Sequence, residues 1–334
     1  MESPVSQPDT INKLRSAADA AFAMLAGMQL DVFTPLEAGP MTAEQIVSAI
    51  GVAPTRLRLL LYSLVVAGLL TEQDGFFSNT PEANQFLVKG EPSYMGNRHA
   101  HLAMRWTAYF KTAESIRSGV PQAKLDFSNS PPEELETFLR NINASTVPAA
   151  RTLLSKYDFS SVKTLADVGS GGGGVAITIA KACSHIMATA IDLPQVAPIA
   201  QKIVEEEGLS ERVNVVPADV VGGPLAGSYE VAVLRAFLQV LSPQDARLAL
   251  KHVGAAVNPG GMIYIIGQIL DDSRRSPLEA VGFNLTFINL FDAGESYTEK
   301  EHRDWLTEAG FVDIERANFL LTDGSGLMTA RKAN

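Results

Sequence analysis

The chain of 334 residues holds a single cysteine, Cys183, so no disulfide can close within it. It also lacks a Cys and His set at chelating spacing, which excludes a structural zinc module, and no metal is expected. No run of 18 apolar residues occurs, and the opening "MESPVSQPDT" has no basic segment followed by an apolar one. These absences predict a soluble, cytoplasmic chain with no membrane partner. Positive charge is short as well: 27 Lys and Arg stand against 37 Asp and Glu, a formal net charge of −10. Phosphate-rich partners leave a basic footprint, so a small molecule is expected as partner and nucleic acid is not. The rest of the composition, 46% hydrophobic and 19% charged, is that of a packed globular protein with room for two domains.

Three segments are expected: 1–92, 93–150 and 151–334. In the first, Thr42 and Gln45 have capping-box spacing ahead of a short helix to Gly51. Pro54 then opens a second helix that ends near Gly68, and Asp74-Gly75 sits between two β-prone pieces as a hairpin turn would. This is a helix-turn-helix followed by a wing. Five basic residues against nine acidic ones over 1–90 oppose a DNA-binding use of it and favour a dimerisation domain.

Residues 93–118 read as a further helix, on which Tyr94, Arg98, His101, Arg105 and Tyr109 are spaced 4, 3, 4 and 4 apart and share one face. Such a stripe is either a solvated face or the lining of an anion-receiving cavity, since guanidinium forks match carboxylates. Ser130-Pro131-Pro132 followed by three acids predicts another helix start.

From Val162 short apolar strands alternate with amphipathic helices as far as Leu270. That alternation implies right-handed crossovers and a parallel, doubly wound α/β sheet. In "LADVGSGGGGVAITIA" the glycines 169, 171 and 173 lie between a strand and a helix, where backbone approaches a ligand and the helix offers unpaired N–H groups. Asp192 ends the second strand, 23 residues beyond Gly169, the place from which a carboxylate accepts ribose hydroxyls. Asp219 ends the third strand. The third glycine comes one residue too early for a dinucleotide fingerprint, and Asp167, two residues before the loop, suits a cationic ligand better than a pyrophosphate.

The ordered motifs "DVGSGGGG", "IDLP", "PADV", "VLRAFLQVLSPQDA", "NPGGMIYI" and "YTEKEHRDWLTEAGF" resemble those of the S-adenosylmethionine-dependent small-molecule O-methyltransferases, the caffeate, hydroxyindole and antibiotic type. The segment "TAEQIVSAIGVAPTRLRLLLYSLVVAGLL" is similar to that family's winged-helix dimerisation domain. The resemblance covers the chain from about residue 15 and implies a Rossmann-like catalytic domain, a homodimer, and S-adenosylmethionine as cofactor. It places Asp167, Gly169, Gly171, Gly173, Asp192, Asp219, Val220 and Arg235 at the cofactor.

In that family a Leu-His-Asp-Trp segment follows the fourth strand, and its histidine takes the substrate's proton. Here Gln239 stands in the histidine's place and Asn284 near that of its acidic orienter. An amide takes up no proton near neutral pH. A positioned base is worth ~10²–10⁴ in rate. The expectation is therefore a nucleophile with no proton to lose, a thioether sulfur such as that of 4-methylthio-2-hydroxybutyrate being favoured. The alternatives are an O-methyltransferase using another base (His99, His101 or Tyr109) and a regulator that binds the cofactor without catalysis. Tyr94, Arg98, Arg105 and Trp106 are the expected substrate contacts.

Overall fold

A computed structural model describes residues 7–91, 93–126, 130–319 and 324–334. The chain divides into two compact units, ending and beginning at Met104 and Arg105. The first unit holds α1 (Asp9–Leu30), β1 (Met41–Thr42), α2 (Ala43–Ile50), α3 (Pro54–Val66), β2 (Leu70–Gln73), β3 (Phe76–Asn79), α4 (Pro81–Leu87) and the start of α5 (His99–Tyr109). Thr42 and Gln45 close the expected capping box on α2, and Pro54 is the first residue of α3. Asp74 and Gly75 both have positive φ (52° and 83°), as a tight turn between β2 and β3 demands, and β3 also pairs with β1. Phe33, Ile46, Leu61, Leu64, Leu70 and Phe77 are buried together beneath this winged helix.

The second unit continues with α6 (Thr112–Ser118), α7 (Pro132–Lys156), β4 (Thr164–Val168), α8 (Gly174–Ala182), β5 (Met187–Asp192), α9 (Ala197–Glu206), β6 (Val213–Pro217) and β7 (Tyr229–Arg235). It ends with α10 (Pro243–Ala256), β8 (Val257–Gly267), β9 (Ile269–Leu270), α11 (Leu278–Leu290), β10 (Tyr297–Thr298), α12 (Glu299–Glu308), β11 (Phe311–Asn318) and β12 (Gly326–Lys332). Seven strands form one sheet in the order β11-β12-β8-β7-β4-β5-β6. The five central crossover strands are parallel, and β12 enters antiparallel between β8 and β11. Two separate clusters of buried apolar side chains cover the two faces, which is why Leu165-Ala166 of β4 and Val231–Leu234 of β7 are apolar without alternation. The strand order reverses between β4 and β7, so their carboxyl ends flank the crevice where such sheets take ligands.

The expected single helix over 93–118 is corrected. Tyr94 lies in a turn closed by its own N–H to the Glu91 carbonyl, Arg98 in a 3₁₀ segment (Gly96–Arg98), and α5 and α6 are separated at Phe110-Lys111. Gly96 is a poor helix former, and a regular helix there would forfeit the Met95 N–H bond to the Phe86 carbonyl (2.7 Å). The helix expected at Ser130 begins instead at Pro132, with Pro131 as its cap and no side-chain cap bond.

Candidate active site

The loop after β4 is shaped by its glycines: Gly169, Gly171 and Gly173 all take left-handed φ (68°, 55° and 74°). Its amides are spoken for in a way that fixes the loop on β5. Gly169 and Ser170 donate to the Ile191 carbonyl (2.9 and 3.1 Å), and Gly171 donates to Asp192 Oδ2 at 2.7 Å. The Leu193 N–H takes Asp192 Oδ1 at 2.8 Å. Each carboxylate oxygen thus keeps acceptor capacity for a further donor. Burial raises the Asp192 pKa above the usual carboxylate range, against the lowering effect of these two amides.

Asp167 is buried under the same loop, with Oδ2 accepting from Ala176 N–H in the first turn of α8 (3.0 Å). Burial pushes its pKa up to about 7; the Ala176 amide opposes this, the Asp192 charge adds to it, and Arg235 opposes it. Arg235, at the end of β7, donates through Nη2 to Ser145 Oγ of α7 at 2.8 Å. The next residue, Ala236, has φ of 54°, a turn that lays the Phe237 ring over Gly169 where a side chain on that glycine would collide with it. Helix α7 closes the other side: a Cβ on Gly172 would meet Asn143 Nδ2 at 2.8 Å, and one on Gly174 would meet Asn143 Oδ1 at 2.6 Å. At Gly171 the nearest atom to such a Cβ is Leu139 Cδ2 at 3.5 Å. Glycines 172 and 174 therefore admit a helix, and Gly171 leaves room.

At the end of β6, Asp219 is exposed and Oδ1 accepts from the Val221 N–H at 3.0 Å. The Val220 side chain is not available to a ligand. It is buried in one of the sheet's two clusters, and its carbonyl is bonded to the His252 ring at 2.8 Å.

Gln239 sits in the short 3₁₀ turn Leu238–Val240 beyond β7 and is buried. Its Oε1 accepts from the Gln268 backbone N–H at 2.8 Å, and a Cβ on Gly267 would lie 2.5 Å from that oxygen. The bond fixes which end of the amide is which, with the oxygen facing the Gln268 N–H. Asn284, on α11, is tied in the same manner, with Oδ1 accepting from the Ser296 N–H at 2.8 Å. Both amides therefore cap main-chain donors, and Gly294, two residues before Ser296, lies against the Gln239 backbone.

The stripe of polar residues divides between the units. In the first, Tyr94 packs on Gly96, and burial raises its phenol pKa above the ordinary value, opposed by Lys89, so it is no ready base. Arg98 and His101 are half-buried in that unit. In the second, Trp106 is half-buried on α5, and Arg105 and Tyr109 meet α11. Arg105 Nε lies 3.1 Å from Tyr109 Oη and 3.2 Å from Thr286 Oγ1, and Nη2 lies 2.6 Å from Tyr109 Oη. The two hydroxyls are 2.8 Å apart, and the guanidinium carbon lies 4.2 Å from the Phe283 ring centroid. Sequence reasoning missed Asn143, Ser145, Gln268, Phe283 and Thr286, because their partners are remote in the chain. An open depression of about 580 Å³ at the amino ends of the strands, lined by residues 154–160 and 182–185, contains none of the expected site residues.

The fold and this loop define a Rossmann-like methyltransferase. Residues 115–312 match the model of the O-methyltransferase domain and residues 16–89 that of the O-methyltransferase dimerisation domain, so the chain belongs to the O-methyltransferase family. It is similar to the 3-hydroxy-5-methyl-1-naphthoate 3-O-methyltransferase of Streptomyces sahachiroi, 26% identical over 320 residues, 93% of this chain and 91% of the relative. It is likewise similar to the N,N-dimethyltransferase OxyT of Streptomyces rimosus, 26% identical over 96% of each chain. Among solved structures, human N-acetylserotonin methyltransferase in complex with S-adenosylmethionine superposes with a TM-score of 0.81 over the whole of both chains at 21% identity. The chain is thus an S-adenosylmethionine-dependent methyltransferase. The site fits that cofactor: Ser170 Oγ is a buried hydroxyl with no partner among the described residues, Asp192 retains acceptor capacity, and Gly171 leaves space. When bound, S-adenosylmethionine supplies the methyl group on an electrophilic sulfonium.

Proposed function

We propose that this methyltransferase acts on an oxygen of a small hydroxylated metabolite that reaches the site already ionised, with no proton acceptor at position 239. One observation carries the reading: the buried residue in the 3₁₀ turn after β7 is Gln239, whose amide is held by the Gln268 N–H and takes up no proton near neutral pH. A phenol of pKa ~10 is about one part in a thousand ionised at pH 7, a deficit comparable to the ~10²–10⁴ that a general base supplies. A hydroxyl with pKa near ~7 is about half ionised and loses almost nothing by the exchange. Acidified phenols and enols are therefore the acceptor class. The family's chemistry and the naphthoate relative's name support oxygen. A thioether sulfur, which also needs no base, draws no support from these relatives and is the outcome to test against. The dimerisation-domain match, together with exposed Ile11, Leu14, Leu59 and Val66 in the first unit, supports a homodimer.

The test is a panel of acidified phenols, simple phenols, amines and thioether acids including 4-methylthio-2-hydroxybutyrate, with S-adenosylhomocysteine measured as product. Acidified phenols are expected to turn over fastest. Turnover of thioethers alone would overturn the oxygen reading. In Gln239→His, simple phenols are expected to gain about tenfold or more while acidified ones change little.

A further inference from the structure

Among the described residues, Arg105 carries a charge with no carboxylate partner. Buried or half-buried guanidinium groups are ordinarily paired with carboxylates. Among the described residues no carboxylate lies within ion-pair distance of Arg105, whereas half-buried Arg303 and Arg316 share Glu299 and half-buried Arg331 has Asp313. Its partners are all neutral: the Tyr109 hydroxyl, the Thr286 hydroxyl and the face of the Phe283 ring. They nevertheless hold it rigidly, since Nε and one Nη2 hydrogen are engaged and the plane is stacked at 4.2 Å. Of the five guanidinium hydrogens this leaves both on Nη1 and one on Nη2, the end-on fork that matches two carboxylate oxygens. A fixed cation with its fork unoccupied has already lost the rotamer freedom that binding an anion would otherwise cost.

Its place in the fold ties it to the reactive end. Phe283, under the guanidinium, is the immediate chain neighbour of Asn284, whose oxygen holds the Ser296 N–H beside the Gln239 turn. Arg105, Phe283 and Thr286 lie in the same unit as the glycine loop.

We infer that Arg105 is the substrate-anchoring residue, and that the substrate carries a carboxylate, held end-on by Nη1 and Nη2, in addition to the hydroxyl that is methylated. This rests on the reading of the site as an O-methyltransferase site. Tyr109 and Thr286 are positioning residues that act through the guanidinium. Arg98 has no such brace, and the charge of the stripe that matters for recognition is that of Arg105.

The experiment uses the full-length protein saturated with S-adenosylhomocysteine and titrates it calorimetrically with two probes, 3-hydroxy-1-naphthoate and its methyl ester. The carboxylate is expected to bind about 10- to 100-fold tighter than the ester, in line with charge-assisted hydrogen bonds. Arg105→Gln is expected to bring that ratio near one, Arg105→Lys to restore part of it, and both to bind S-adenosylhomocysteine as the wild type does. A brace that only joined α5 to α11 would change stability and leave the ratio alone. The inference is overturned if the wild type binds the ester as well as the acid, if it binds neither, or if Arg105→Gln keeps the preference. Failure to bind S-adenosylhomocysteine at all would instead strike the methyltransferase reading.

Discussion

Gln239 and Asn284 each accept a main-chain N–H through the amide oxygen, and in the proposed site neither offers a proton acceptor of base strength. The residue types were legible in the sequence; the hydrogen bonds that orient the two amides were not, because Gln268 and Ser296 are brought in by the turns after β8 and α11. At Val220 the side chain is core, so a contact with the cofactor would have to use its backbone, and position along the chain does not say which way a side chain points. Asp192 stands at the end of the second strand, and there it fastens the glycine loop through the Gly171 N–H. Asp192→Ala is expected to weaken S-adenosylmethionine binding by about 10-fold or more, by calorimetry, because it frees the Gly171 loop and removes the acceptor that the proposed site would offer the ribose. Asp167 yields a pH prediction. Its pKa, raised from 3.8 to about 7, means the folded chain holds a proton that the unfolded chain has released. Stability from this group is full below about pH 4 and is lost as pH rises through about 7. Asp167→Asn, which keeps an acceptor for the Ala176 N–H, should therefore gain in denaturant midpoint relative to wild type between about pH 4 and 8. A pH-independent difference would contradict this.

At the scale of elements, strand-helix alternation from Val162 to Leu270 was legible because each β-α step shows both hydrophobic periods and its own punctuation. The hairpin at Asp74-Gly75 was legible for the same reason, since the dipeptide states its turn. The break at Phe110-Lys111 was not, because no glycine or proline punctuates it, and the bond from the Lys111 N–H to the Ala108 carbonyl marks the end. The lie of α7 over the glycine loop was equally hidden, although four adjacent glycines are its trace. Gly174→Ala puts a methyl against Asn143 Oδ1 and Thr146 Cγ2, at 2.6 and 2.8 Å. A loss of about 1–3 kcal/mol is expected, read as a lower melting midpoint. Asn143→Ala in the same chain should recover part of it, and strict additivity of the two changes would contradict the packing described here.

At the scale of the whole molecule, the winged helix and the Rossmann-like unit divide the labour: a charge-poor, apolar-faced first unit and a second that holds the glycine loop and both amides. Sedimentation is expected to give twice the 35.8 kDa of one chain, and Leu59→Glu with Val66→Glu, both on exposed positions of α3, to shift it towards one. A wild type that sediments as a monomer would contradict the dimer. The central claim, methyl transfer without a protein base at position 239, is tested most directly by single-turnover rates against pH for a series of phenols of graded acidity. The account predicts that each profile rises with an inflection at that acceptor's own pKa, so that the inflection moves along the series. One inflection shared by every acceptor would reveal a titrating protein base and contradict it.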